Sequence, residues 1–472
     1  MTGRPSRPHV STGLADAALA RAGDWLMRHQ RAIQTGQWSV VVVYVVLLIV
    51  PPFVPLPPRT AHIWNDVTLF SQFVFWGIWW PFVLLSMMLV GRLWCGVLCP
   101  EGFVSEKASA YSKGWSTPRW IKWKGWPFVA FACTTVYGQM ISVYQYPGPA
   151  SVLLGFSTVA AIAVAYFYGR NKRIWCRYLC PVSGVFAIMS KLAPVHFQVD
   201  RQAWDTWQRS PHVAAAERIN CAPLVPIRNM RGASACHMCG RCSGFHGAVT
   251  LQRRSPNHEI VHVAGTEVRP VETLLILFGL MGVAAGAFQW GSSPLYVQVK
   301  QALATWLIDH GMLWPVTVAP PWWILTNYPE QNDVMTLLDG AVLIGYIVVF
   351  AALAGIALGL CVAAASRVLG PWSWPRFHHL VQSLIPLAGC GVFLGLSMTT
   401  VTLLRHDGFY LDFAGPLRAA LLTGAGLWSL WLGWSIGALH SSNVSRRIVA
   451  MLPLVLAATT SAGLFASLFW RL

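Results

Sequence analysis

Nine apolar runs recur along the chain, at about 38–54, 68–90, 126–146, 149–168, 271–290, 334–364, 378–404, 417–440 and 448–470. A run of about 20 apolar residues spans a bilayer as a helix, because lipid offers no partner to the backbone and a helix satisfies its own N–H and C=O groups. The predicted fold class is therefore an all-α polytopic membrane protein of about nine transmembrane helices. Composition agrees, with 55% of residues hydrophobic and 11% charged. The run Val40 to Val50 has a long polar lead and no small-residue cleavage site after it, and it enters Pro51-Pro52 directly. It reads as an uncleaved first helix, not a signal peptide.

A net charge of +17 raises the question of a polyanionic partner. The placement of the charges answers it. With residues 1–37 inside and nine spans, the inner segments hold 29 of the 34 Lys and Arg, and only Arg59, Lys300, Arg405, Arg418 and Arg471 fall outside. This is the positive-inside bias of a membrane protein with a cytoplasmic N-terminus, and it needs no nucleic acid. The expected organisation is a basic tail over 1–37, a four-helix core over 38–190, a cytoplasmic ferredoxin-like segment over 191–270 and a five-helix region over 271–472 with an outer loop at 291–333. Within the tail, Leu14, Ala17, Ala18, Leu19, Trp25 and Leu26 can form an amphipathic helix on the inner leaflet. The stretch His258 to Val263 alternates like a strand.

Cys236, Cys239 and Cys242 follow CxxCxxC spacing, which lets three thiolates crowded on one turn reach three irons of one cubane. The fourth ligand is most simply Cys221, which sits before Ala222-Pro223. A four-cysteine zinc site usually pairs two CxxC units, and a second unit is missing. The position where a ferredoxin carries its next cysteine holds His246, a candidate to cap or tune the cluster. His237, His258 and His262 read as solvated or structural.

Two further pairs, Cys95/Cys99 and Cys176/Cys180, repeat at a constant offset of 81 residues, and Arg92/Arg173, Trp94/Trp175, Leu98/Leu179 and Pro100/Pro181 superimpose on it. Each unit is an out-and-back helix pair ending in CxxxCP. Two such pairs facing each other make a four-thiolate cage, suited to a second [4Fe-4S] cluster; structural zinc, or thiols that pass copper, are the alternative chemistries. Cys133, Cys361 and Cys390 stand singly and read as small hydrophobes.

The paired Trp-Cys-x3-Cys-Pro motifs followed by a ferredoxin segment resemble the membrane polyferredoxin family that includes NapH, MauN, the C-terminal half of NosR, and CcoG. The resemblance covers roughly residues 38–250 and implies electron carriage at the inner membrane face. It puts Cys95, Cys99, Cys176 and Cys180 in the CxxxCP positions and Cys221, Cys236, Cys239 and Cys242 in a ferredoxin site. The family usually shows two full ferredoxin motifs, and this chain keeps one. About five added helices resemble the FtrD-like subunit of bacterial ferrous-iron uptake systems.

The expected function is inner-membrane electron transfer between a periplasmic redox partner, ferroxidase-like or a reductase, and the quinone pool or the cytoplasmic side, in an iron-uptake setting beside an iron permease. Quinol oxidation of NapH type and copper handling of CcoG type are the alternatives. The chain is read as an electron carrier, and no hydrolase motif appears. A cofactor near the outer face is also expected. His379 and His440, at cytoplasmic ends of neighbouring spans, are candidate axial ligands for haem b, and quinone is the other candidate. Glu330, Asp333 and Asp339 mark an acidic outer surface for a basic partner or a cation.

Overall fold

The computed structural model describes residues 13–58, 60–208 and 219–470. Arg59 and Arg471, two of the basic residues expected on the outer side, and residues 1–12 of the basic tail lie outside them. The chain divides into two compact units.

The first unit comprises Met1–Val45, Val83–Trp123 and Thr158–Thr266. It opens with α1 (Leu14–Arg28), followed by α2 (Gln30–Ile49). After the span α3 (Val67–Val90) come the first CxxxCP loop and α4 (Pro100–Ala110). The second loop carries two short helices, Ile174–Tyr178 and Ser183–Met189. A hairpin-like pair follows, in which β1 (Val195–Val199) runs antiparallel to β2 (Val249–Arg253), with Phe197 opposite Leu251. Phe197, Trp204, Cys236, Met238, Val249 and Leu251 form its core, with Leu19 of α1 packed on it.

That packing revises the reading of the tail. The amphipathic face of α1 covers the two-stranded sheet: a Cβ on Gly23 would stand 3.1 Å from Leu251 and 3.2 Å from Phe197. Asp24 accepts from Ser243 at 3.0 Å, and Asp16 pairs with Arg253 at 3.1 Å. The expected strand at His258–Val263 is instead a wide helical turn, Glu259–Val263. Its Glu259 turns inward, pairs with Arg254 and accepts the Ala233 N–H at 2.8 Å, which a strand exposing alternate residues would not permit.

The second unit comprises Val46–Phe82, Lys124–Ser157 and Glu267–Leu472. It contains α5 (Trp126–Met140) and the spans α10 (Pro270–Ser292), α12 (Leu337–Leu369), α13 (Trp374–His406), α14 (Ala414–His440) and α15 (Val444–Phe469); α6 (Pro147–Tyr168) is shared with the first unit, α7 to α9 being Ile174–Tyr178, Ser183–Met189 and Arg201–Gln208, and α11 is Pro294–Asp309. The most enclosed span is α10, which approaches α12 closely: a Cβ on Gly282 would meet Ala351 Cα at 2.8 Å, and one on Gly355 would meet Phe278 at 2.4 Å. Small residues let helix backbones approach in lipid, where apolar burial gives no drive to associate.

Eight helices among the described residues are long and apolar enough to cross a membrane, so the chain is an all-α polytopic membrane protein. The ninth expected span, 126–146, is the 15-residue α5 followed by a turn in which Ser142 has φ 51°. At 1.5 Å per residue the helix is about 22 Å long. Connectivity nevertheless counts it as a crossing. His62 lies between α2 and α3 and Asp407 just after α13, yet His62 Nδ1 and Asp407 Oδ1 are 3.0 Å apart. An even number of crossings must separate two residues on one membrane face. Five long spans lie between them (α3, α6, α10, α12 and α13), and α5 supplies the sixth.

Reporter fusions truncated after Lys122 and after Gln145 should therefore report opposite sides of the membrane. The same side for both would remove α5 as a crossing.

Candidate metal centre

Both CxxxCP loops lie in the first unit, and they are not simple helical turns. Trp94–Leu98 is a wide turn that breaks at Cys99, whose extended backbone (φ −63°, ψ 115°) caps α4 with Pro100 in the first helical position. The Gly102 N–H donates to Cys99 Sγ at 3.3 Å. The second loop follows the same plan, with Cys176 inside the helix Ile174–Tyr178 and Cys180-Pro181 at its break. Proline accounts for the break, since it has no N–H to continue the ladder. The two thiols of a pair thus sit on a turn and at its break, not four apart on one continuous helix.

The pairs converge. Burial pushes the Cys176 thiol up to about 12, with Arg173 opposing the shift and Cys95 adding to it. Cys99 and Cys180 are raised well above the ordinary thiol value by burial first; the next cause is the neighbouring thiols for Cys99 and Glu101, ahead of the thiols, for Cys180. The second set converges in the same way. Burial holds Cys236 up at about 12 and Cys242 well above normal, and each feels Cys239 and Cys221. Cys221 is raised too, by burial and then Cys239. Cys99, Cys176, Cys180, Cys221, Cys236 and Cys242 resist ionisation alone and would become thiolates only with positive charge delivered among them, which iron or another metal supplies.

The spacing of the sulfurs bears on which metal fits. Sulfurs on one tetrahedral zinc stand about 3.8 Å apart, from Zn–S bonds of about 2.3 Å. Among the described residues no three of the thiols gather their sulfurs within 4.8 Å of one another.

The two tetrads touch through their backbones. A Cβ on Gly96, inside the first CxxxCP loop, would stand 2.0 Å from His237 O and 2.8 Å from Cys239 N, so only glycine fits. Gln37 donates to Gly96 O at 3.3 Å, and Gln30 donates to Cys239 O at 3.1 Å. The ferredoxin run turns at Met238 (φ 54°) and Gly240 (φ 76°), where a Cβ would strike Leu26 at 2.4 Å. Cys221 is tied to the second repeat: the Arg173 N–H donates to Ala222 O at 2.8 Å, and Lys172 donates to Cys221 O at 3.2 Å.

The repeat arginines cross over between the loops. Arg92 of the first repeat donates to Ser183 Oγ at 2.9 Å and to Ser234 O at 3.1 Å. Arg173 of the second donates to Cys95 O and pairs with Glu106 at 2.6 Å, and Glu106 in turn pairs with Arg241. Although burial opposes it, Arg173 and Arg241 hold the Glu106 carboxyl below the usual range. Arg92 and Arg173 are almost fully buried, and their charges reach both tetrads: Cys176 and Cys236 feel Arg92, while Arg173 feels Cys176 and Cys239. Buried N–H donors remain without a protein partner at Arg92 Nε and Trp175 Nε1, and His237 Nδ1 is also unpartnered. Such donors suit sulfur acceptors and tune cluster potentials.

The remaining candidates fare differently. His237 is buried, and burial followed by Arg92 and Arg173 keeps it well below its ordinary value, hence neutral. His246 stacks on Trp207 and Phe245 with centroids 3.6 Å from each. His379 and His440 do meet, but as a direct hydrogen bond of 3.0 Å between Nδ1 and Nε2. Two axial ligands of one iron stand on the order of 4 Å apart, twice a metal–imidazole bond, so this arrangement does not fit haem. The acidic surface expected on the outer side is also broken up. Asp333 accepts from Tyr146 at 2.9 Å, and Asp339 caps α12 through Thr336 and pairs with Lys300, which leaves Glu330 exposed.

Gly96→Ala should destabilise the first unit by about 1–3 kcal/mol through overpacking and strip iron from both tetrads, whereas Gly36→Ala, with open space around it, should do neither. Equal iron content in the two variants would show that the contact at Gly96 is dispensable.

Comparison with known proteins places the match on these loops. A 4Fe-4S binding domain family matches residues 72–118 and 151–199, which contain Cys95, Cys99, Cys176 and Cys180. YccM of Escherichia coli (strain K12), whose name proposes a role in electron transport, is 24% identical over 238 residues, covering 45% of this chain. The chain spans 65% of the length of that relative. No solved structure matches at a significant level. These similarities support an iron–sulfur protein of the membrane electron-transfer kind.

Proposed function

We propose that the protein carries electrons in the membrane through two [4Fe-4S] clusters, one held by Cys95, Cys99, Cys176 and Cys180 and the other by Cys221, Cys236, Cys239 and Cys242. The observation that carries this reading is the backbone contact of the two tetrads at Gly96, with Arg92 and Arg173 shared between them. A thiolate-bound cubane supplies one-electron chemistry with little change of geometry. The chain's own residues supply the environment. Gly96 brings the two thiol sets together without an intervening side chain. The buried arginines offset the negative charge of the thiolates and favour the reduced form. The unpartnered N–H groups of Arg92 and Trp175 are donors available to sulfur.

On the same reading the cysteine face is cytoplasmic in a bacterial inner membrane, supported by the 29 of 34 basic residues on that side of the predicted topology. Electrons then pass between the quinone pool or the cytoplasmic side and a periplasmic redox protein. Ferrous-iron uptake beside a permease is the setting that the added helices favour. Haem at His379 and His440 is not part of this proposal.

Anaerobically purified protein should hold about eight iron and matching acid-labile sulfide, four for each cubane. The double variant Cys95→Ala, Cys176→Ala should lose about half of it. About four iron in the wild type, unchanged in the variant, would return the CxxxCP thiols to copper handling or structure.

A further inference from the structure

Far from the cysteines in sequence, the second unit gathers His62, His406 and Asp407, whose ligand atoms all lie within 4.8 Å of one another. The three come from the loop after α2 and the end of α13. Asp407 Oδ1 faces His62 Nδ1 at 3.0 Å and His406 Nδ1 at 3.3 Å. With metal–ligand bonds near 2.1 Å, two ligands of one ion stand about 3.0 Å apart at a right angle and about 3.4 Å apart in a tetrahedron. The observed separations fall in that window.

Three further features fit a site and not a chance cluster. First, the Asp407 side chain is wholly covered, and its partners among the described residues are two imidazoles and the Ile63 N–H, at 3.0 Å on Oδ2. A covered carboxylate calls for a cation. Second, the ligands are oriented. The Ile63 N–H fixes the carboxylate, and His62 stacks on Trp64 with centroids 4.9 Å apart and rings 4° from parallel, while Phe409 meets Trp64 edge-on. Such supporting contacts are the usual scaffold of a metal ligand. Third, the side chains of His62 and His406 are 40% and 47% exposed, so an ion can enter and keep open positions. Moving the ring proton to the other nitrogen of each exposed imidazole frees both Nδ1 lone pairs.

We propose that His62, His406 and Asp407 bind a divalent first-row transition ion. Two imidazoles and one carboxylate select borderline ions of the iron, cobalt and zinc kind over magnesium or calcium, and three protein ligands leave room for exchange. One crossing, α3, separates His62 from the CxxxCP loop along the chain, and the site does not depend on the iron–sulfur reading.

The test is titration of the cluster-loaded full-length protein with Co2+, following its visible d–d bands. Wild type should take up one more Co2+ than His62→Gln or Asp407→Asn, with cluster absorption unchanged. Zn2+ should displace it. Identical titrations of wild type and variants would overturn the site. Should a variant lose its clusters, pulsed EPR of Co2+ in the wild type decides: coupling to imidazole nitrogen supports the proposal, and its absence refutes it.

Discussion

Two arginines with almost no contact with solvent, Arg92 and Arg173, are the constraint on which the cysteine-bearing unit rests. A buried guanidinium is costly unless it is paired and hydrogen-bonded. Here each is hydrogen-bonded by the opposite repeat, Arg92 at Ser183 and Arg173 at Cys95 O and Glu106, while Arg92 Nε keeps a donor free of protein partners. The cross-over locks two loops that are distant in sequence into one object. It also places permanent positive charge beside thiols, Cys176 and Cys236 among them, that burial otherwise holds against becoming thiolates. Structure and chemistry make the same demand of these residues, because the charge that holds the loops together also makes a polyanionic cluster tolerable.

Around that pair the chain closes in layers. Gly96 admits the ferredoxin run to direct backbone contact, and Gly240 admits α1 through Leu26. Glutamines of α2 cap carbonyls on both loops, Gln37 at Gly96 and Gln30 at Cys239. Glu259 anchors the segment that enters the CxxCxxC run, and a Cβ on Gly232 would collide with its carboxyl group at 2.2 Å. Gly96 leaves no room for a side chain between the two runs, and charge interactions are stronger in such a low-dielectric interior.

Much of this was legible in the chain. The 81-residue offset carries arginine, tryptophan, cysteine and proline together, and the structure puts both copies into one assembly. The apolar runs marked the spans because lipid enforces length and composition. Four things were not legible, for physical reasons. The amphipathic face of α1 has the same pattern whether it meets lipid or a sheet, and only Gly23 beneath Leu251 and Phe197 hints at the closer partner. The alternation at His258–Val263 gave way to a buried ion pair, Arg254 with Glu259, that periodicity does not register. His379 and His440 occupy span ends as axial ligands would, but a 3.0 Å hydrogen bond is a matter of tenths of an ångström that spacing cannot resolve. The His62, His406 and Asp407 group joins positions some 345 apart in the chain, and nothing local to either end signals the other.

The central claim is that two clusters lie side by side across the Gly96 contact. Low-temperature EPR of the fully reduced protein tests it most directly, because adjacent paramagnetic clusters couple. The account predicts a broadened, interacting spectrum that collapses to one simple signal in Cys221→Ala, with the CxxxCP signal retained. Two sharp, independent signals in the wild type, or a single signal that Cys221→Ala leaves unaltered, would contradict it.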